Sequence, residues 1–170
     1  MKITSYLLFV LLLVFVGCDS DNEAENTPAV PMCYISPGEA NLPLGEQTEF
    51  EIVLQDIPDS LFALSCRLIY DPAMLEFIEY AAPATERFFG DEVVEFTAAE
   101  DSVIHIAISR TQGQPMVAGS GVVCRLRFAA EHAGASSLSL PSNHLIFYDI
   151  AGQEVMIPNL EISGATIAIP

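Results

Sequence analysis

Apolar and polar side chains alternate with a period of two through most of the chain beyond residue 31. A strand with one buried face leaves that mark, because successive side chains point to opposite sides of a sheet. The alternation is clearest in residues 61–80, LFALSCRLIYDPAMLEFIEY. Leu64, Cys66, Leu68 and Tyr70 are large or apolar, while Ala63, Ser65 and Arg67 between them are small or charged. Asp71-Pro72 then interrupts the ladder, since proline has no N–H to donate and restricts the residue before it. The Asp71 carboxylate is suited to bond the backbone just after it and close a tight turn. Met74, Leu75, Phe77, Ile78 and Tyr80 resume a strand-like apolar run. Such a corner predicts a chain passing from one sheet of a sandwich to the other.

The remaining chain repeats the theme. Residues 32–36 predict a first strand ending at Pro37-Gly38, and residues 48–54 set Phe50, Ile52 and Leu54 against Glu49, Glu51 and Val53. Ile57-Pro58-Asp59 predicts a turn. Residues 81–91 read as a loop with room for a helical turn, with Phe88-Phe89 plugging one end of the core. Residues 93–97 predict another strand. In residues 102–110, Ile104, Ile106 and Ile108 point inward, and Val103, His105, Ala107 and Ser109 outward. A Gly-rich loop follows over residues 111–121. Val122, Cys124, Leu126 and Phe128 then share one face of a strand, with Arg125 and Arg127 on the other. Residues 137–140 form a short strand, 145–150 and 154–157 a hairpin around Ala151-Gly152, and 161–169 a closing segment. About nine short strands with frequent turn signals and no long helix predict an all-β fold, a nine-stranded antiparallel β-sandwich.

The first 17 residues depart from this pattern. Lys2 precedes an unbroken apolar run from Tyr6 to Val16, then Gly17 and Cys18. A charged start, a short apolar middle and a small residue predict a secretory signal peptide over residues 1–17. The run falls short of the roughly 20 residues that a membrane-spanning helix needs. Phe15-Val16-Gly17-Cys18 resembles the bacterial lipobox, which implies lipidation of Cys18 and anchoring in the cell envelope, facing the periplasm or the exterior. Several acyl chains on one residue anchor stably, whereas one alone is marginal. Residues 18–31 are acidic and polar, with too few apolar side chains to fold, and predict a flexible tether to a domain over residues 32–170.

The formal net charge is −17; losing residues 1–17 removes Lys2 and no acid, leaving −18. Nucleic acid is excluded as a partner, since phosphate binding needs clustered Lys and Arg. The membrane is met through the lipid anchor alone. The acidity fits solubility by self-repulsion, an adaptation to high salt, or a surface that steers a basic partner.

Tyr70-Asp71-Pro72 with Leu75-Glu76-Phe77 is similar to the tyrosine-aspartate-proline turn of cohesin domains and the strand after it. The stretch from Gly121 to Phe128, GVVCRLRF, resembles their glycine-led late strand, and Asp149-Ile150-Ala151-Gly152 fits in order. The resemblance implies a jelly-roll sandwich, the fold that cohesins share with some carbohydrate-binding modules. It also implies a flat sheet face that binds a dockerin helix pair. The asparagine and aspartate that it would place on the strand before the turn are here Ala63 and Ser65. What faces outward on this strand and on the 102–110 strand is Ala63, Ser65, Arg67, Val103, His105, Ala107 and Ser109. Small residues at that density leave an approachable surface suited to a protein partner.

Chemistry-bearing motifs are sparse. Cys66 and Cys124 both point inward, which leaves open either a disulfide between the sheets, worth about 4 kcal/mol, or buried free thiols, with Cys33 unpaired in both cases. His105, His132 and His144 are scattered, and no Cys-x-x-Cys or His-x-x-x-His spacing points to a metal. No nucleophile elbow or phosphate-binding glycine loop occurs, so neither catalysis nor a cofactor is expected. Two functions fit. One is a non-catalytic, lipid-anchored cohesin-like module that scaffolds a secreted protein at the cell surface, dockerin-bearing or otherwise, with a link to polysaccharide degradation. The other is a carbohydrate-binding surface lipoprotein on the same fold, with Tyr34, Tyr80, Phe88 and Tyr148 as its available aromatics and no tryptophan. A structural lipoprotein without a specific ligand is the third.

Overall fold

The computed structural model describes residues 29–170. Cys18 and the rest of residues 1–28, which carry the signal peptide and most of the tether, lie outside the described residues.

The alternating segments form β1 (Met32–Ser36), β2 (Glu39–Asn41), β3 (Gln47–Leu61), β4 (Ala63–Ile69), β5 (Leu75–Ala81), β6 (Val93–Glu100) and β7 (Val103–Arg110). β8 (Val117–Ala130), β9 (Gly134–Leu138), β10 (Ile146–Tyr148), β11 (Glu154–Val155), β12 (Glu161–Ser163) and β13 (Ala165–Ile169) follow. A single 3-10 turn, Ser142–His144, precedes β10. One sheet has the order β12-β1-β3-β8-β5, a second β11-β10-β4-β7-β6, and a small third β2-β13-β9. The inward faces of all three contribute to one buried cluster. Phe50, Ile52 and Leu54 of β3 meet Leu64, Cys66 and Leu68 of β4 and the three isoleucines of β7 there. Phe128 is its aromatic hub, with ring centroids 5.4 Å from Tyr70, 5.5 Å from Phe77 and 6.2 Å from Phe50.

The corner at Asp71 works as its chemistry dictates. Its Oδ1 accepts the Ala73 N–H at 2.9 Å, and its carbonyl accepts from Met74 and Leu75. The chain thereby leaves β4 in the second sheet and enters β5 at the edge of the first.

Four features differ from the pattern-based expectation. More strand segments form than nine, because turns split the ends of the chain into short pieces that build the third sheet. Ile57-Pro58-Asp59 is not a turn but part of the 15-residue strand β3. Pro58 falls in the interval between the Ile57–Gly119 and Leu61–Val117 pairs, where the register shifts, and a proline there removes no ladder bond. β8 begins at Val117, inside the stretch read as loop. The pairing is antiparallel except at the chain's ends, where β1 with β12 and β2 with β13 run parallel.

Cys33, Cys66 and Cys124 are free thiols, all buried, so the Cys66–Cys124 bridge is not formed. They occupy core positions as small hydrophobes. Burial pushes the Cys33 thiol up to about 12 and raises those of Cys66 and Cys124.

Candidate functional site

β4 and β7 lie side by side in the middle of the second sheet, and their register decides which side chains share a face. Ala63 pairs with Ser109, Ser65 with Ala107, Arg67 with His105 and Ile69 with Val103. Directly paired residues point the same way, and the intervening Leu64, Cys66, Leu68, Ile104, Ile106 and Ile108 are buried. All seven residues picked from the alternation, Ala63, Ser65, Arg67, Val103, His105, Ala107 and Ser109, therefore lie together on the outer face of one sheet.

The neighbouring strands add side chains that the alternation did not single out. On β6, Val94 is opposite Ser109 and Phe96 opposite Ala107, and they are 64% and 61% exposed. On β10, Ile146 is opposite Ser65 and Tyr148 opposite Ala63. VVEFT at the start of β6 carries apolar residues at both parities, so periodicity could not say which side faces out. Pairing with β7 does. The small residues form the floor of a shallow depression of about 370 Å³, with Val94 and Phe96 on one side and Tyr148 on the other.

Electrostatics set one residue of this face apart. Among the described residues, four of the five arginines are engaged. Arg87 pairs with Asp91, Arg125 with Glu49, and Arg127 with Glu49 and Glu79. Arg110 donates to the Gln114 side chain. Arg67 is exposed and makes neither an ion pair nor a side-chain hydrogen bond among the described residues. Its cross-strand neighbour is His105. No three His, Cys, Asp or Glu side chains among the described residues are grouped to hold a metal ion.

The other aromatics are placed differently. Phe88 and Phe89 are buried edge to face at 5.0 Å and close one end of the core. Tyr80 packs against the core with its hydroxyl buried and unpartnered. Tyr148 alone of the four aromatics proposed for sugar stacking is on the β4–β7 face.

Comparison with known proteins agrees with this architecture. No curated protein matches the chain. A type II cohesin domain from the cellulosome of Acetivibrio cellulolyticus superposes with a TM-score of 0.68 at 14% identity, covering 82% of this chain and 95% of that one. The third cohesin of ScaC from the same organism, in complex with the ScaB dockerin, gives 0.67 at 15% identity over 82% and 99%. A non-cellulosomal cohesin from the hyperthermophilic archaeon Archaeoglobus fulgidus gives 0.66 at 18% identity over 84% and 92%. The family model of the cohesin domain matches residues 35–157, and the chain belongs to the cohesin domain family.

Proposed function

We propose that this chain is a non-catalytic binding module that holds a dockerin-bearing secreted protein on the outer face of the β10-β4-β7-β6 strands. The observation that carries the reading is the floor of Ala63, Ser65, Ala107 and Ser109, four small residues in two adjacent cross-strand pairs. A partner can approach that backbone closely over its whole width. Cohesins of the same fold have been captured with dockerins bound. The anchor in this proposal is a lipidated Cys18, with residues 18–31 as the tether that carries the domain clear of the envelope.

A panel of purified dockerin modules tested against the protein by calorimetry checks the reading. At least one should bind, and Ala63→Arg with Ala107→Arg should abolish that binding while the melting temperature stays put. Binding that survives both arginines would exclude this face. The carbohydrate reading gains the exposed Phe96 and the half-buried Tyr148, but β4 and β7 separate the two rings. Retention on insoluble polysaccharide, released by a soluble sugar, would favour it over a protein partner.

A further inference from the structure

We propose that the outer face of the first sheet, on the side of the sandwich away from the β4–β7 floor, carries a site for a neutral sugar between Tyr34 and Arg87. The site shares no residue with the proposed partner face and stands independently of it.

Pairing builds the floor. Tyr34 of β1 is opposite Val53 of β3, Val53 is opposite Val122 of β8, and Val122 bridges to Arg87 in the 82–91 loop. Directly paired residues project to the same side. Cys33 and Ile35, which flank Tyr34, are buried in the core, so the row lies on the outer surface. Alternation through Cys124 would put Val122 inside, but a register shift between Ile52 and Val53 reverses it. Ile52 pairs with Cys124 and Val53 with Val122, so Val123 joins the core cluster and Val122 does not. Bulges re-aim side chains in this way beside functional sites. Over the row opens a cleft of about 610 Å³, a volume in the range of small-ligand pockets.

The polar groups stand at the rim and are held in place by the protein itself. Arg87 donates from Nε to the Pro83 carbonyl and pairs through one terminal nitrogen with Asp91. Its other terminal nitrogen has no partner among the described residues. The Asp56 N–H donates to the Ser120 hydroxyl at 2.9 Å, and Oδ2 of Asp56 accepts from Gln55 at 3.2 Å. Oδ1 of Asp56 has no partner among the described residues. Glu86 completes the rim, with its carbonyl bonded to the Val122 N–H at 2.8 Å. A rim tied to β8 at both ends loses little conformational freedom when a ligand arrives.

A ring with an apolar face and a polar edge fits these parts. The C–H face of a pyranose covers the Tyr34 ring and the two valines, apolar surface against apolar surface. Its hydroxyls both donate and accept, so one ring can take the free Arg87 N–H and the free Asp56 oxygen together. An amine or a metal ion would use the carboxylates but lose hydration over the valines without return. An anion would meet Asp56, Glu86 and a chain of net charge −17. The row from Tyr34 to Arg87 spans three strand spacings, about 14 Å, room for a short oligosaccharide end.

Isotope-labelled protein titrated with cellobiose, maltose, lactose and N,N′-diacetylchitobiose, each to about 20 mM, tests this through its amide NMR signals. At least one sugar should shift the amides of Val53, Arg87 and Val122 saturably, with a Kd of about 1 mM or below. Tyr34→Ala should weaken that binding at least about tenfold, and Tyr34→Phe should keep it, because the ring rather than its hydroxyl makes the contact. Asp56→Asn, which suits the left-handed backbone at φ 53°, should weaken it with thermal unfolding unchanged. Ala63→Arg with Ala107→Arg should leave sugar binding intact, which separates this site from the β4–β7 face. No saturable shift with any of these sugars, shifts confined to the β4–β7 face, full binding by Tyr34→Ala, or displacement of the sugar by an equal concentration of putrescine would overturn the inference. A dockerin bound in an Ala107-sensitive way would then still leave the module function standing.

Discussion

Replacing Gly121 by alanine adds one methyl group where the late strand passes beneath the 82–91 loop. An added Cβ would lie 2.7 Å from the Glu86 carbonyl oxygen, 2.8 Å from the Phe88 Cα and 2.9 Å from the Phe88 nitrogen. All three are backbone atoms, so no side chain can swing away to make room. The loop is also tied down at that spot: Val122 N–H donates to Glu86 at 2.8 Å and Phe88 N–H donates to Val122 at 2.9 Å. Restoring ordinary contact therefore means breaking or stretching both bonds, at about 1 kcal/mol each. It also lifts Phe88 and Phe89 from the end of the core, an overpacking cost of about 1–3 kcal/mol. The expected loss is about 3–5 kcal/mol, read in thermal unfolding as a drop of roughly 6–20 °C for a domain of this size. Gly38→Ala is the control, because its Cβ would meet only the Ile35 carbonyl oxygen at 4.0 Å; it should melt like the parent. A Gly121→Ala protein that melts with the parent would refute the claim that backbone contact locks this loop to β8.

Two further outcomes follow from the core and the opposite face. In a Cys18→Ser variant the native protein should leave a thiol reagent unreacted, and three thiols should titrate after denaturation without reductant; a count of one would mean a disulfide among Cys33, Cys66 and Cys124. On the outer face of the first sheet, the Glu49 carboxylate accepts from Arg127 at 2.7 Å and from Arg125 at 3.2 Å. The Arg127 bond, with the charge of both arginines, holds the Glu49 carboxyl below its ordinary 4.5. A carboxyl lowered by folding contributes stability that is complete above the unfolded value and lost as pH falls through the folded one. Arg127→Gln should accordingly lower the urea midpoint slightly at about pH 7, and the difference should vanish toward about pH 3. A pH-independent difference would show that Arg127 acts by packing rather than by charge.

Much of the β4–β7 face was legible because both strands are central and half-buried, the case in which a period of two is enforced at every step. Leu64, Cys66 and Leu68 had no alternative to the interior, so Ala63, Ser65 and Arg67 had none to the outside. Phe96 and Val94 escaped that logic. β6 is an edge strand paired only to β7, and an edge strand tolerates Glu95 on its inner side, where the rim admits water. With a valine on each side of β6, hydrophobicity alone leaves its facing open. Pro58 misled for a related reason: a proline signals a turn only where the strand needs its N–H, and at a register shift β3 does not.

The sequence by itself determined the sandwich, the corner at Asp71 and the outward row on β4, because each follows from one residue and its close neighbours in the chain. Tertiary pairing alone decided that β6 and β10 wall a trough over that row, that Arg67 is left without an acid, and that the end strands run parallel to β1 and β2. Those outcomes depend on which distant segments become neighbours, and alternation states which way a side chain points without stating what stands beside it.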